Sequence, residues 1–337
     1  RRVSVAPFDG VCSGDIIVLE PILEHIVEGF LPIFMQFEDF ENRIIALSAG
    51  AFSKRIKWKQ LAEEEVVIPS IEEQQMIVKI VWSIQTNIQS NEKVILTTGE
   101  LKKEMISHLL TKGIWDKKLI STELGEVCEN FKLKELGELV DIKGRIGWRG
   151  LTTEDYVDDG AILLGVRNIT RDCKLDLTDL TYIPINKYEE SPEIMVKPGD
   201  ILFAKTGATT GKSCVVNEIY KPTTVNAAVN VIRCNKEINN FFLNYYISSN
   251  ICQKQIWELA SESARPNLFQ RDIKKIKIIL PSLEEQKKIV NKLVSVDTHL
   301  DLQYKNLLSL YDLRKRISNE LLSGRIRIPE EALRNVQ

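Results

Sequence analysis

A chain of 337 residues, 44% hydrophobic and 27% charged, has room for two domains and the balance of a folded globular protein, which excludes large-scale disorder. No apolar run approaches the roughly 18 to 20 residues that cross a bilayer, and the opening RRVSVAPFDG leads into no signal-peptide core, so the sequence predicts a cytoplasmic protein with no membrane partner. The net charge of -2 neither requires nor excludes a nucleic-acid partner, because a local basic surface can coexist with an acidic remainder.

In chain order, the first element with clear boundaries follows the strand-like run Val66-Val67-Ile68. Pro69 ends that run, Ser70 can cap a helix, and Glu73 completes a capping box. Beyond it Val81, Ile84, Ile88, Ile95, Thr98, Met105 and Leu109 fall on one heptad seam, interrupted by Asn91 and Lys102. From about residue 128 to 280 the pattern changes to short β-rich runs punctuated by Gly, Pro, Asn and Asp. Strands are expected at 161–166, 199–204, 213–216, 229–233 and 276–280, and helices at 241–248 and 252–260, which together read as an α/β domain with a strongly curved sheet. Pro281, Ser282 and Glu285 then repeat the earlier helix start. The seam that follows is Leu293, Val296, Leu300, Leu307, Leu310, Ile317 and Leu321, with Gln303 and Arg314 as polar interruptions.

The two helices are copies of one unit. Residues 68–114 align without a gap to residues 280–326 at a constant shift of 212, and sixteen of the 47 pairs are identical, which excludes chance. The shift extends upstream, setting Phe30-Leu31 against Phe242-Leu243 and Ile44 against Ile256. Helices of about 40 residues would be about 60 Å long, too long for one small domain to bury. Pairing the two seams with each other, antiparallel because a pseudo-twofold relates the copies, is the economical arrangement. Under the same shift Arg1 falls opposite Ser213, so the beginning of the chain reads as the C-terminal remnant of a first domain of the same kind.

Chemistry-bearing signals are sparse. The cysteines Cys12, Cys128, Cys173, Cys214, Cys234 and Cys252 lack a CxxC pair and predict neither a metal site nor a disulfide framework. The stretch GATTGKS resembles a phosphate-binding loop, but Gly207 and Gly211 enclose three residues where four are needed, and a strand follows where a helix should. Methyltransferase, GxSxG and HExxH motifs do not occur, and a nuclease built from Asp200 and Asp272-Ile273-Lys274 rests on a triplet common by chance.

Three stretches instead suit nucleic acid. Residues 143–150 (KGRIGWRG) combine cations with glycines that let the backbone approach a phosphate. Residues 205–212 (KTGATTGK) carry hydroxyls and two lysines, and residues 264–271 (ARPNLFQR) carry the Arg, Asn and Gln side chains suited to base edges. The residues alone leave a second class open: a coiled-coil interaction or scaffold protein whose α/β modules bind protein or another ligand.

The PS(L/I)EEQ helix start repeated in each half, with GELVDIKGRIGWRGLTTEDY and GDILFAKTGATTGKS, resembles the specificity subunits of type I restriction-modification systems. The resemblance implies an α+β fold: α/β target recognition domains with curved sheets, joined by two long helices in an antiparallel coiled coil. It divides the chain into a remnant of recognition domain 1 (1–68), spacer helix 1 with a linker (69–127), recognition domain 2 (128–280), and spacer helix 2 with a tail (281–337). It further implies a non-catalytic subunit that directs its partners to a bipartite site on double-stranded DNA. Those partners are modification subunits, which carry S-adenosylmethionine and methylate adenine, and restriction subunits, which use ATP; this chain has no cofactor of its own. Carried over by position, the DNA-binding candidates are Lys143, Arg145, Arg149, Lys205, Thr206, Thr209, Lys212, Arg265 and Asn267.

Overall fold

A computed structural model of the chain describes residues 3–48, 55–115, 118–145, 151–260 and 267–333. They fall into two compact units, Arg1–Thr97 with Leu300–Gln337, and Thr98–His299. The chain opens with three short helices, α1 (Phe30–Phe34), α2 (Glu38–Leu47) and α3 (Trp58–Ala62), before the long helix α4 (Ile71–Thr111). Next come β1 (Leu119–Thr122), β2 (Gly125–Cys128), β3 (Lys132–Glu135), α5 (Leu136–Leu139) and β4 (Val140–Gly144). The middle of the chain supplies β5 (Ala161–Leu164), β6 (Thr181–Ile183), α6 (Ile185–Glu189), β7 (Ile201–Ala204), β8 (Ser213–Val215), β9 (Thr223–Val225) and β10 (Val229–Cys234). It closes with α7 (Asn240–Ser248), α8 (Asn250–Ala260), α9 (Gln270–Ile273), β11 (Lys277–Leu280), the second long helix α10 (Leu283–Leu322) and α11 (Glu330–Leu333). No helix among the described residues is long and apolar enough to cross a membrane.

Both long helices start as their sequence dictates. The Ser70 hydroxyl accepts from the Glu73 amide and the Ser282 hydroxyl from the Glu285 amide, each at 3.3 Å, satisfying donors that a helix N-terminus leaves free. The glutamine that follows each cap has a larger role. Gln74 is fully buried; its oxygen accepts from the Val27 amide at 2.9 Å, and its nitrogen donates to the carbonyls of His25 and Pro69 at 3.1 and 3.0 Å. Gln286 repeats this with the counterpart partners: the Asn239 amide at 2.7 Å and the carbonyls of Glu237 and Pro281 at 3.0 and 2.9 Å. One side chain thus ties the segment entering a short aromatic helix to the start of the long helix it packs on.

The seam side chains are the buried side of the long helices. Val81, Ile88, Ile95, Leu109, Leu293 and Leu321 are buried, and Ile84, Val296, Leu300 and Leu307 partly so. The polar interruptions find partners across the pair. In the first unit the Asn91 amide donates to Gln303 at 3.0 Å, and these two are each other's counterparts at the 212-residue shift. Arg314 bonds Gln85 and Tyr311 bonds Glu92, so contacts descend α10 as they ascend α4, as an antiparallel pair requires. In the second unit Lys102 pairs with Asp297, which repeats the Gln85 and Arg314 contact with the helices exchanged. Asp297 also accepts from the Tyr245 hydroxyl at 2.6 Å, and burial, helped by this bond, raises the phenol's pKa.

The first unit has a small core in which Phe30, Phe34 and Phe40 pack with Ile77, Val81 and Leu321. The second unit is organised by a four-stranded antiparallel sheet of order β4-β10-β7-β8. Strand alternation sends Ile142, Ile201, Phe203, Val215 and Ile232 toward α7, α8 and the ends of α4 and α10. On the other face Leu202, Ala204, Cys214, Val229 and Val231 pack with a three-stranded sheet in which β5 runs antiparallel to β6 and parallel to β9. The β-structure of this unit is therefore divided among short sheets, with the four-stranded one buried on both faces.

The reciprocal glutamines predict a large penalty for losing one. Gln286→Leu strands three backbone groups, each costing about 1–3 kcal/mol when buried unpaired, and should lower stability by at least about 3 kcal/mol in urea unfolding. A loss below about 1 kcal/mol would show that this network is dispensable.

Candidate nucleic-acid interface

Register fixes what meets at one end of the four-stranded sheet. Gly144, the last residue of β4, lies opposite Asn230 of β10, and Asn230 lies opposite Phe203 near the end of β7. The C-terminal ends of β4 and β7 therefore lie at the same end of the sheet, on either side of β10. The β7–β8 connection is closed by the Ala204 amide on the Lys212 carbonyl at 2.8 Å and the Gly211 amide on the Ala204 carbonyl at 2.9 Å. Its tip turns through Gly207 at φ 74, a left-handed conformation that suits glycine. Thr206 forms an antiparallel bridge with Asn267, and the Leu268 amide donates to the Lys205 carbonyl at 2.9 Å. The Gln270 amide, oriented to satisfy both neighbours, donates to the Ile142 carbonyl at 3.2 Å and accepts from the Gly144 amide at 3.1 Å. Stretches about 60 residues apart in sequence are thus stitched into one surface.

The candidate residues occupy unequal positions on it. Lys143 is half-exposed on β4, 3.3 Å from the Asp141 carboxylate. Lys205 is half-buried with no acceptor for its ammonium among the described residues, and burial pulls its pKa down. Thr206 and Thr209 are half-exposed; the Thr209 hydroxyl turns back to the Thr206 carbonyl at 3.4 Å. Lys212 is half-exposed at the base of the hairpin, and Asn267 is exposed. Arg149 and Arg265 lie outside the described residues.

Arg145 corrects the sequence expectation. It is only 5% exposed, and its guanidinium donates to the Val225 carbonyl at 3.1 Å and the Thr224 hydroxyl at 3.3 Å. Burial lowers its pKa, opposed by the carboxylates of Glu193 and Glu190. The side chain ties β4 to β9 and is not available to a duplex. A lone arginine in a glycine-rich stretch carries no signal for which way it will face, which is why the sequence misassigned it.

Two enzymatic readings dissolve in the structure. The residues after the GATTGK loop form strand β8, so no helix N-terminus stands ready for a nucleotide phosphate. Asp200 is held by Arg233 through bonds of 3.0 and 3.1 Å at the opposite end of β7, whereas Asp272 pairs with Arg271 and Lys275. A pocket of about 540 Å³ beside Asp200 is lined by Lys197, Arg233 and Asn240. Arg233 is spent on Asp200 and the carbonyls of Glu193 and Met195, and the Asn240 amide on the Gly199 carbonyl. No group of three or more His, Cys, Asp or Glu suited to a metal occurs among the described residues.

The glutamine that the sequence grouped with the base-edge side chains, Gln270, is instead the strut to β4. Two residues that sequence reasoning passed over are Phe269, 57% exposed beside Asn267, and Asn230. Asn230 is fully buried with both amide atoms unpartnered, directly beneath Gly144, where a Cβ would lie 2.3 Å from its oxygen.

Comparison with known proteins gives a consistent result. A family model described as "Type I restriction modification DNA specificity domain" matches residues 2–97 and 127–310. The type I restriction enzyme MjaVIII specificity subunit of Methanocaldococcus jannaschii is 26% identical over 324 residues, which is 95% of this chain and 75% of that one. The putative type I restriction enzyme MjaX specificity subunit of the same organism is 30% identical over 275 residues, 81% of this chain and 62% of that one. Among solved structures, the type I restriction-modification S subunit from M. genitalium superposes with a TM-score of 0.53 at 19% identity, over 89% of this chain and 73% of that one. A chain from a type I R-M system complex gives a TM-score of 0.57 at 18% identity, over 89% and 72%.

The burial of Lys205 predicts a conflict between stability and binding. Lys205→Met should unfold at higher urea than the unaltered chain near neutral pH, because a desolvated charge has been removed, yet bind every duplex more weakly. The sign of the pH dependence follows from the depressed pKa: the unaltered protein gains stability as pH rises from that value toward the ordinary 10.5, so the gap between the two proteins narrows there. A gap that widens over that window would contradict the assignment.

Proposed function

The chain belongs to the type I restriction modification DNA specificity family, and from that premise we propose that it gives a type I restriction-modification enzyme its target sequence, binding duplex DNA without catalysing any reaction itself. Modification and restriction subunits would carry the chemistry, S-adenosylmethionine and ATP included, in the cytoplasm. Residues 128–280 would be target recognition domain 2, residues 69–127 and 281–337 the spacer-helix segments with which it works, and residues 1–68 part of target recognition domain 1.

The observation that carries this reading is the convergence of Lys143, the Lys205–Lys212 hairpin and Asn267 at one sheet end, held by the bridge of Thr206 to Asn267. A phosphate contact needs a cation with reach, which half-exposed Lys212 has, and which Lys143 would supply by exchanging the Asp141 carboxylate for a phosphate. Base reading needs a paired donor and acceptor on a fixed backbone, which Asn267 has. A scaffold function would leave this concentration of cations, hydroxyls and an amide without a purpose.

The test is affinity for a duplex selected from a random pool by the assembled enzyme, against a scrambled duplex, at several salt concentrations with the modification subunits present. Lys212→Ala should weaken both duplexes alike and reduce the salt slope by about one unit. Asn267→Ala should cost about 1–3 kcal/mol on the selected duplex and little on the scrambled one. Equal losses on both duplexes for Asn267→Ala would end its assignment as a base reader. No change for any variant would move the DNA surface elsewhere.

A further inference from the structure

A single exposed hydrophobic side chain is ordinary by itself, and Phe269 is set apart by the bonds that fix its position from several sides and by the polar surface it shares. Phe269 is 57% exposed, whereas its neighbour Leu268 is fully buried. The backbone here is extended, with Phe269 at φ -79 and ψ 153, so successive side chains alternate: Asn267 outward, Leu268 inward, Phe269 outward. Asn267 and Phe269 therefore share one face.

That face is held rigidly. On one side Leu268 bonds the Lys205 carbonyl and Asn267 bridges Thr206. On the other, the Phe269 carbonyl accepts from the Asp272 and Ile273 amides at 2.9 and 3.1 Å, starting α9, and the Gln270 side chain spans to β4. The Arg271 guanidinium lies 5.5 Å from the Phe269 ring centroid, which keeps a cation over one face of the ring. An apolar ring displayed rigidly on one face with Asn267, with the Arg271 guanidinium beside it and the segment bonded to the Lys205 main chain, suits a groove that offers an apolar group between phosphates. In the major groove the thymine C5-methyl is that group, and phenylalanine is among the side chains that contact it.

Building on the proposed DNA-reading role, we propose that Asn267 and Phe269 form a two-residue reader of A·T sequence, the amide on the adenine edge and the ring on a thymine methyl. Residues two apart on an extended chain span about 7 Å, about two base steps, so the thymine stands within two base pairs of the adenine. Phe269 is then a specificity determinant that carries no charge, and it acts through a single methyl group.

Replacing thymine by uracil removes only that methyl and leaves base pairing intact. With the full chain and the modification subunits, each thymine of the selected duplex is replaced in turn. The unaltered protein should lose about three- to four-fold in affinity at one position, the worth of one buried methyl. Phe269→Ala should bind the thymine duplex about three- to four-fold more weakly, bind scrambled DNA as before at an unchanged salt slope, and no longer distinguish thymine from uracil at that position. Phe269→Leu should retain part of the discrimination, and thermal melting of both variants should match the unaltered chain because the ring is exposed. Indifference of the unaltered protein to every uracil, with its preference for the selected duplex intact, overturns this proposal and leaves the DNA-reading role standing. Discrimination that survives in Phe269→Ala overturns it as well. Loss of the modification subunits from Phe269→Ala on size exclusion would make the ring a protein contact and also overturn it. If the unaltered protein shows no preference for the selected duplex over the scrambled one, both readings fall together.

Discussion

The constraint on which each unit depends is the hydrogen-bonding of one buried glutamine. A fully buried amide must find partners for both ends, and a bend of chain entering a helix leaves carbonyls and amides that must find partners too. Gln74 and Gln286 resolve both needs at once, with partners that correspond residue for residue. In the second unit this places α7 against α10, and Phe242 and Tyr246 of α7 then carry the core on which the four-stranded sheet rests. The arrangement at the sheet end is thus traceable to a residue that touches no ligand.

The long helices follow a second rule, that polar groups on an apolar seam must be paired or removed. Gln85 with Arg314 and Lys102 with Asp297 obey it by bonding across the pair, and Asn91 obeys it in part, its amide nitrogen bonding Gln303 while its oxygen has no partner. Such pairs add little net stability over well-packed apolar residues, but a shifted register would bury each of them without its partner. Their effect is to make one alignment of the two helices far better than its neighbours. Tyr245 extends this to the second unit's α/β layer, since its hydroxyl ends on the same Asp297 carboxylate that Lys102 uses.

Much of this was legible in the sequence, for reasons that differ by element. The helix starts could be read because capping is local: Ser70 and Ser282 act within three residues of themselves. The strands at β5, β7, β8, β10 and β11 could be read because each is apolar and bounded by turn formers. The seam was visible from periodicity, and the pairing of its polar interruptions followed only once the helices were side by side. Long-range choices left no local trace. Arg145 and Lys143 stand two residues apart in the same glycine-rich segment, yet one is sealed beneath β9 and the other reaches solvent. The EEQ motif was recognised as a helix start, but nothing in three letters tells that the glutamine reaches back 47 residues to an amide.

The hairpin between β7 and β8 separates what holds the protein together from what it displays. Its base is locked by main-chain bonds between Ala204, Gly211 and Lys212, and a side chain at Gly211 would strike Gln253 at 2.9 Å. A Cβ at Gly207 would meet nothing within 4 Å, and neighbouring Ala208 is exposed. An exposed tip position such as Ala208 can therefore be exchanged at little cost to the core, whereas Gly207 is held to glycine by its left-handed backbone and Gly211 by its contact with Gln253. On the proposed DNA-reading role, a lineage carrying this hairpin could vary what it presents to a duplex through a few codons at the tip while the rest of the chain stays as it is.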